Sequence, residues 1–447
     1  MGEKPVKRTI FKNARLLDPA SGLDTQGAML VDGARIADIG AHVFVDAVQD
    51  DVHVVDCKGL CLAPGIVDMR VSTGEPGNEH METLATAALA AVAGGVTTFT
   101  CLPTTDPIVD DVAVLEFVER LGRDVGLVNI HSYAAATKGL QGKIMTELGL
   151  LHEAGAAGFT DGGKAIAHAG VMRRLLSYAK LFDTMVVQHP ELPELVGSGV
   201  MNEGETATRL GLPGIPAVAE VMMVERDLRL LELTGGRLHF SCLSTGDAIE
   251  AVRQAKARGL RVTADTAPPY FALTESEVVG YRTFAKLSPP LRTEEDRRAV
   301  IAGIADGTID AIVSAHTPGD RDQKRLPFGQ ADFGGVGLET LLSVSLELVH
   351  NGDVPMLTVL KALTDTPAEL LKFPAGRLRK GHLADFILFD PGRAVRIDRD
   401  ELRGKSRNTP FDERPVQGRV ERTYRAGSLV FDIETTPAPA RRRFPDA

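Results

Sequence analysis

The sequence predicts an α/β chain, built as a closed (β/α)8 barrel of the TIM type with a small β-sandwich-like domain formed by its N- and C-terminal segments. Three observations carry that expectation. The 447 residues exceed one ordinary small domain and suit a barrel with an attached unit. From Pro64 onward, short apolar runs alternate with longer amphipathic segments, the pattern of strands alternating with helices. Both ends of the chain instead read as short strands separated by Gly and Asp turn signals.

In chain order, residues 1–63 predict strands over 9–17, 28–31, 35–39 and 52–56, with Asp32-Gly33 as one of the turns. Residues 64–375 predict barrel strands over 66–71, 96–101, 127–134, 158–160, 184–189, 237–242, 261–265 and 310–315, with helical patterns such as 171–180 and 217–233 between them. Parallel strands need crossover connections, and strands repeated this often close into a barrel. Residues 376–434 return to short strands, among them 384–389 and 422–431 with an Ala426-Gly427 turn, expected to complete the β unit begun by the N-terminus. Residues 435–447, rich in Pro and Arg, predict a mobile tail.

Composition narrows the partners. Apolar residues make up 44% and charged residues 25%, values of an ordinary globular chain. The net charge is −10 and the pI about 5.6, with scattered basic side chains, so nucleic acid is not an expected partner. No apolar segment follows the lysines of the first residues, and no run approaches the roughly 18 apolar residues of a membrane span, which predicts a cytoplasmic location without membrane contact. Cys57, Cys61, Cys101 and Cys242 lack the spacing of a zinc ribbon or disulfide framework, and Cys57 and Cys61 are expected to be buried apolar residues. The Asp161-Gly162-Gly163-Lys164 run lacks the spacing of a phosphate loop.

In such a barrel the reacting groups project from the C-terminal strand ends. The first barrel strand runs through Pro64-Gly65-Ile66-Val67-Asp68-Met69-Arg70-Val71-Ser72-Thr73-Gly74-Glu75-Pro76-Gly77. Together with Gly94-Gly95-Val96-Thr97, Met201-Asn202-Glu203-Gly204, Gly214-Ile215-Pro216, Pro289-Pro290-Leu291-Arg292, Phe333-Gly334-Gly335-Val336-Gly337-Leu338-Glu339 and Asn408-Thr409-Pro410-Phe411, it resembles dihydroorotase. That family comprises zinc-dependent amidohydrolases of pyrimidine synthesis, which open and close the dihydroorotate ring. The resemblance runs nearly end to end.

The resemblance implies a site that this chain only partly carries. Two histidine ligands at i and i+2 are implied at the end of the first strand, where Arg70 and Ser72 stand. An arginine cannot ligate, and its fixed charge repels a cation. A bridging aspartate matches Asp161, and a histidine ligand matches His189. A further histidine ligand is replaced by Cys242, and the metal-binding, proton-shuttling aspartate by Ala315. The implied carboxylate-holding arginine and asparagine are Gly74 and Thr104, a binding asparagine is Ser288, and a loop histidine is Gly319. Zinc lowers the pKa of bound water from 15.7 to about 7, so losing it removes roughly eight to nine powers of ten of available hydroxide.

These replacements led to the expectation of no bound cofactor and no catalytic residues. The chain was expected to be a non-catalytic pyrimidine-pathway protein that self-associates and serves as an assembly subunit for aspartate transcarbamoylase, as some dihydroorotase-like chains do. The alternative was an active dihydroorotase, or another cyclic-amide hydrolase, using zinc in a site rebuilt from Asp161, His189, Cys242 and His316. A buried ion pair of Arg70 with Asp161 is one structural alternative, while His239 is expected to be a satisfied interior histidine and Lys164 to lie in a loop rather than act as a carboxylated ligand.

Overall fold

A computed structural model describes residues 8–43 and 52–436. Strands β1 (Arg8–Asp18), β2 (Leu23–Asp32), β3 (Arg35–Gly40), β4 (His53–Asp56) and β5 (Cys61–Pro64) come first. The barrel strands follow as β6 (Ile66–Val71), β7 (Val96–Cys101), β8 (Asn129–Ser132), β9 (Ala134–Ala135), β10 (Phe159–Thr160) and β11 (Val186–Gln188). A short pair, β12 (Met201–Asn202) and β13 (Gly214–Ile215), lies in the connection before β14 (Leu238–Phe240), β15 (Val262–Thr266) and β16 (Ala311–Ile312). The chain ends with β17 (Phe386–Arg396), β18 (Pro415–Arg425) and β19 (Ser428–Asp432).

The terminal strands form one sheet in the order β19-β18-β17-β5-β1-β2-β3, with β4 also paired to β1. Phe11, Phe386 and Tyr424 meet within it. Phe386 stacks on Tyr424 at 4.5 Å between centroids, and Phe11 meets Phe386 edge-on at 4.9 Å. The barrel strands are parallel and buried on both faces, which is why β7 reads as an unbroken run of buried Val, Thr, Phe and Cys, and why even Asp68 and Arg70 in β6 are buried. Between β8 and β9 the chain changes neighbour at Tyr133, whose N–H reaches the Cys101 carbonyl at 2.9 Å, while the Ala134 N–H reaches Gly158 at 3.1 Å. The ring closes where Val71 bridges His316 in parallel and the Ser72 N–H donates to the His316 carbonyl at 2.8 Å.

Helices cover the barrel, with ends set by local chemistry. The helix Val112–Val125 starts where the Asp111 side chain accepts the Val114 N–H and stops at Gly126 in the left-handed conformation. The helix Glu294–Ala305 is capped by Thr293, and its acidic first turn of Glu294, Glu295 and Asp296 complements the helix dipole.

Several strands differ from expectation. The expected strands 237–242 and 310–315 shorten to β14 and β16, because Cys242 (φ 60°) and Ala315 (φ 49°) turn into the left-handed region at the strand ends. The expected strand 127–134 breaks at Tyr133. The expected 422–431 hairpin is the tip of a longer one, since β18 begins at Pro415, and 28–31 is the far end of β2. The expected tail lies outside the described residues beyond Thr436. Thr435 and Thr436 themselves donate to the Asp432 carbonyl.

Two glycines tie the barrel's beginning to its end. A Cβ on Gly94 would lie 1.9 Å from the Leu338 carbonyl oxygen, and one on Gly337 would lie 2.3 Å from the Ser314 carbonyl oxygen. Gly94→Ala should therefore destabilise the protein by about 1–3 kcal/mol or more through forced backbone displacement. Gly163→Ala, with nothing within 4 Å of the added carbon, serves as the control. Urea unfolding of the two variants checks this, and equal midpoints would refute the packing argument.

Candidate functional site

Closure between β6 and the segment after β16 gathers the site. Arg70, near the end of β6, is only 6% exposed. Its Nη1 donates to the Ser241 Oγ at 3.2 Å. Ser241 and its neighbours converge on Asp265 at the end of β15. The Asp265 carboxylate accepts from Ser241 Oγ at 3.2 Å and from the Cys242 N–H at 2.6 Å, and it lies 2.8 Å from His239 Nε2. His239 also bonds Thr263 through Nδ1 at 2.8 Å, so it is a satisfied interior histidine. Burial pushes the Cys242 thiol up to about 12, and pushes the Tyr270 phenol well above its usual value, so both stay neutral near pH 7.

Asp68 lies beneath this group. Its Oδ1 accepts the Arg70 N–H at 3.1 Å and the Ser314 N–H at 3.2 Å, while Oδ2 has no hydrogen-bond partner among the described residues. Burial raises its pKa to about 6, against the downward pull of Ser314 and the Arg70 amide.

On the opposite wall, His189, Glu191 and Ser288 form a compact polar triangle. Ser288 Oγ donates to Glu191 Oε2 at 2.5 Å, and His189 Nε2 lies 2.8 Å from that oxygen and 3.0 Å from Ser288 Oγ. Burial works against the Glu191 charge, yet His189, Ser288 and Arg292 outweigh it and hold the carboxyl below the usual range. His189 Nδ1 and Glu191 Oε1 are buried without a partner among the described residues.

The remaining sequence-marked residues are spread around the rim. Asp161 is buried and accepts from the Thr137 N–H at 2.9 Å and the Thr137 Oγ1 at 2.5 Å, so the alternative Arg70–Asp161 pair does not form. Burial raises the Asp161 pKa, with the Thr137 bonds opposing it. His316 Nδ1 accepts the Gly337 N–H at 3.3 Å, and its Nε2 faces Glu82 at 3.7 Å. Ser72 serves the closure through its backbone. Gly74 is packed so tightly that a Cβ would lie 2.0 Å from the Asn78 carbonyl oxygen. Thr104 is exposed, as is Lys164, which sits in a turn. Gly319 donates its N–H to Asn408 Oδ1 at 3.2 Å. Cys57 and Cys61 are buried.

A pocket at the mouth is lined by Arg70, Tyr270, Ser288, Ser314, Thr317 and Thr340, among others. Its flank is the segment 320–334, held by two buried lysines. Lys286 Nζ donates to the carbonyls of Phe328, Gly329 and Ala331, and Lys324 Nζ donates to those of Thr283 and Asp332.

The family's zinc does not fit these residues. Arg70 places a buried guanidinium where the first ligands would stand, and Asp161 and His189 are hydrogen-bonded to Thr137 and to Glu191 and Ser288. Among the described residues no group of three His, Cys, Asp or Glu side chains could hold a metal ion, so the rebuilt set of Asp161, His189, Cys242 and His316 does not assemble.

Sequence reading missed Asp68, Glu191, Tyr270 and Asp265. A signal for Glu191 was present, since His189-Pro190-Glu191 has the same i, i+2 spacing that drew attention to Arg70 and Ser72.

Fold and site together define an α/β barrel of the TIM type whose buried polar groups gather at the C-terminal mouth. The family model described as Dihydro-orotase-like matches residues 59–248. The chain is 44% identical over 427 residues to a dihydroorotase of Anaplasma phagocytophilum, covering 95% of each. It is 41% identical to one of Syntrophotalea carbinolica, covering 95% of this chain and 99% of that one. The chain belongs to the dihydroorotase family. Among solved structures, the L-hydantoinase (dihydropyrimidinase) of Arthrobacter aurescens superposes with a TM-score of 0.83 at 23% identity, over 95% of this chain and 96% of that chain, and supports the barrel fold.

These relatives overturn the expectation of a non-catalytic assembly subunit for aspartate transcarbamoylase. Proteins that match this chain almost from end to end carry the name of the hydrolase, so the enzyme alternative is the better supported reading. Among the described residues no helix is long and apolar enough to cross a membrane.

The Asp68 geometry makes a pH prediction. Its folded pKa, about 6, lies above the ordinary 3.8, so the folded chain holds this proton more tightly than the unfolded chain. The stabilisation is complete below the ordinary value and is lost as pH rises through 6. Asp68→Asn keeps an acceptor for Arg70 and Ser314 and does not ionise. Relative to this variant, the natural protein should lose stability from about pH 4 to about pH 7. Urea midpoints across that range check it, and a constant difference would refute it.

Proposed function

We propose that this protein is a cyclic-amide hydrolase that opens and closes the ring of dihydroorotate or an equivalent ring amide at the barrel mouth. The observation that carries the reading is the near end-to-end match to dihydroorotases at about 40% identity. Arg70 and Ser288 line the pocket, and Glu191 and His189 stand behind Ser288. Arg70 supplies positive charge for the substrate carboxylate or for the carbonyl oxygen that becomes negative as the ring opens.

Ser288 stands between the pocket and Glu191, with His189 beside both. In ring opening, a water oxygen bonds to the ring carbonyl carbon and the ring C–N bond breaks. The water proton passes by way of the Ser288 hydroxyl to Glu191, and Glu191 returns it along the same path to the departing nitrogen as the C–N bond breaks. A carboxyl held below its usual range is a weak base, so the reading expects slow turnover.

The test is dihydroorotate ring opening, followed by loss of ring absorbance, with the chelator-treated protein and its Glu191→Gln variant. Proton transfer by a positioned side chain contributes about 10²–10⁴-fold, so Glu191→Gln should lower kcat by about two powers of ten with a smaller change in KM. Absence of ring opening for dihydroorotate, dihydrouracil and hydantoin alike would sink the proposal, and an unchanged kcat would remove Glu191 from it.

A further inference from the structure

We infer that Arg70 is a resident cation, and that the barrel mouth binds a small carboxylate anion directly on its guanidinium with no metal ion between them. This rests on the hydrolase reading only for the choice of probe.

Arg70 is a buried charge without a direct carboxylate partner among the described residues, Asp265 acting on it only from beyond Ser241. Buried charges in proteins are paired or ligated, because an isolated ion in a low-dielectric interior is strongly disfavoured. Arg70 is 6% exposed, yet among the described residues no carboxylate oxygen lies within ion-pair distance of it. Its side chain makes one hydrogen bond, to the neutral Ser241 hydroxyl. Asp265 is reached only through Ser241, and its oxygens are already shared with His239 and the Cys242 N–H.

Arg292 shows what a structural arginine looks like in the same protein. It is equally buried, at 3% exposed, but its Nε donates to Ser244 and its Nη1 to Asn202 and the Ile215 carbonyl, with Glu220 at 3.9 Å. Arg70 has no such cage. It lines the mouth pocket beside the hydroxyls of Ser288, Ser314 and Thr317, with Tyr270 as an apolar wall.

A guanidinium is planar and presents paired N–H groups that match the two oxygens of a carboxylate. The neutral hydroxyls around it can complete the shell of such an anion, whereas they are poor partners for a second cation. The same fixed charge that disfavours a metal ion thus favours a carboxylate; the Cys242 thiol and Tyr270 phenol, held neutral by burial, add no negative charge, and Asp265, which acts on Arg70 from beyond Ser241, is already shared with His239 and the Cys242 N–H.

The experiment is calorimetric titration of the chelator-treated full-length protein, its zinc confirmed substoichiometric by elemental analysis. The probes are dihydroorotate and dihydrouracil, which share a ring and differ by the carboxylate. Dihydroorotate should bind at least tenfold more tightly than dihydrouracil, Arg70→Met should abolish that preference, and Arg70→Lys should keep part of it. Should the variants fail to fold, the Arg70 Nε–H resonance of the natural protein should shift on titration with dihydroorotate and not with dihydrouracil. Binding that requires added zinc, a preference that survives Arg70→Met, or an unmoved Arg70 resonance would overturn the inference. Carboxylate-selective binding without turnover would leave it standing while removing the hydrolase reading, and zinc-dependent turnover would do the reverse.

Discussion

The contact on which the site depends is the closure of the barrel between its first strand and the segment following its last. Val71 bridges His316, the Ser72 N–H reaches the His316 carbonyl, and the Asp68 carboxylate accepts one N–H from each side of the seam. Ala315 lies inside this seam with positive φ, as does Cys242 at the end of β14. Alanine and cysteine have no intrinsic preference for that region, so the surrounding ladder imposes the conformation. The backbone that would present catalytic groups is therefore kept at positions where the side chains have changed.

That seam also fixes the electrostatics. Asp68 is tethered by backbone amides to both sides, and burial pushes its pKa upward. Asp265 is tied to His239, Ser241 and the Cys242 amide. One oxygen of Asp68 and both of Asp265 are held by the scaffold, and the Arg70 guanidinium lines the pocket without an ion-pair partner among the described residues. Replacing a ligand by a cation inverts the charge preference of the mouth from a metal ion to an anion.

Much of the frame was legible because burial and period are written into residue type. The unbroken apolar and threonine run of β7 reads as a strand covered on both faces, β6 keeps that reading despite Asp68 and Arg70, and Asp111 and Gly126 mark a helix start and stop. Strand ends were less legible, because the positive φ at Cys242 and Ala315 follows from tertiary pairing rather than from the residues themselves. Arg70 stands out in the sequence as an oddity at a strand end, but its contact with Ser241 does not. Asp161 is engaged by Thr137, a contact between loops far apart in sequence that no local pattern announces. Glu191 was within reach, since strand geometry places i and i+2 side chains on one side, and that rule had been applied to Arg70 and Ser72 alone.

A guanidinium and a zinc ion are not equivalent sources of positive charge. Zinc lowers the pKa of a bound water by about nine units and so generates hydroxide, whereas a guanidinium, which donates hydrogen bonds but takes no water into a coordination shell, leaves water close to its ordinary acidity. What Arg70 can supply is orientation of an anion and stabilisation of a developing oxyanion, effects that act on the substrate rather than on the nucleophile. The nucleophile must then be activated by a side chain, and the triangle of Ser288, His189 and Glu191 is the polar group on the pocket wall placed for that task. Its hydrogen bonds hold Glu191 below the usual carboxylate range, so the interactions that stabilise the triangle also weaken it as a base. On the proposed reading, binding strength and catalytic rate are therefore set by different residues at this mouth, the first by Arg70 and the second by how far the triangle loosens when a ring amide displaces water from the pocket.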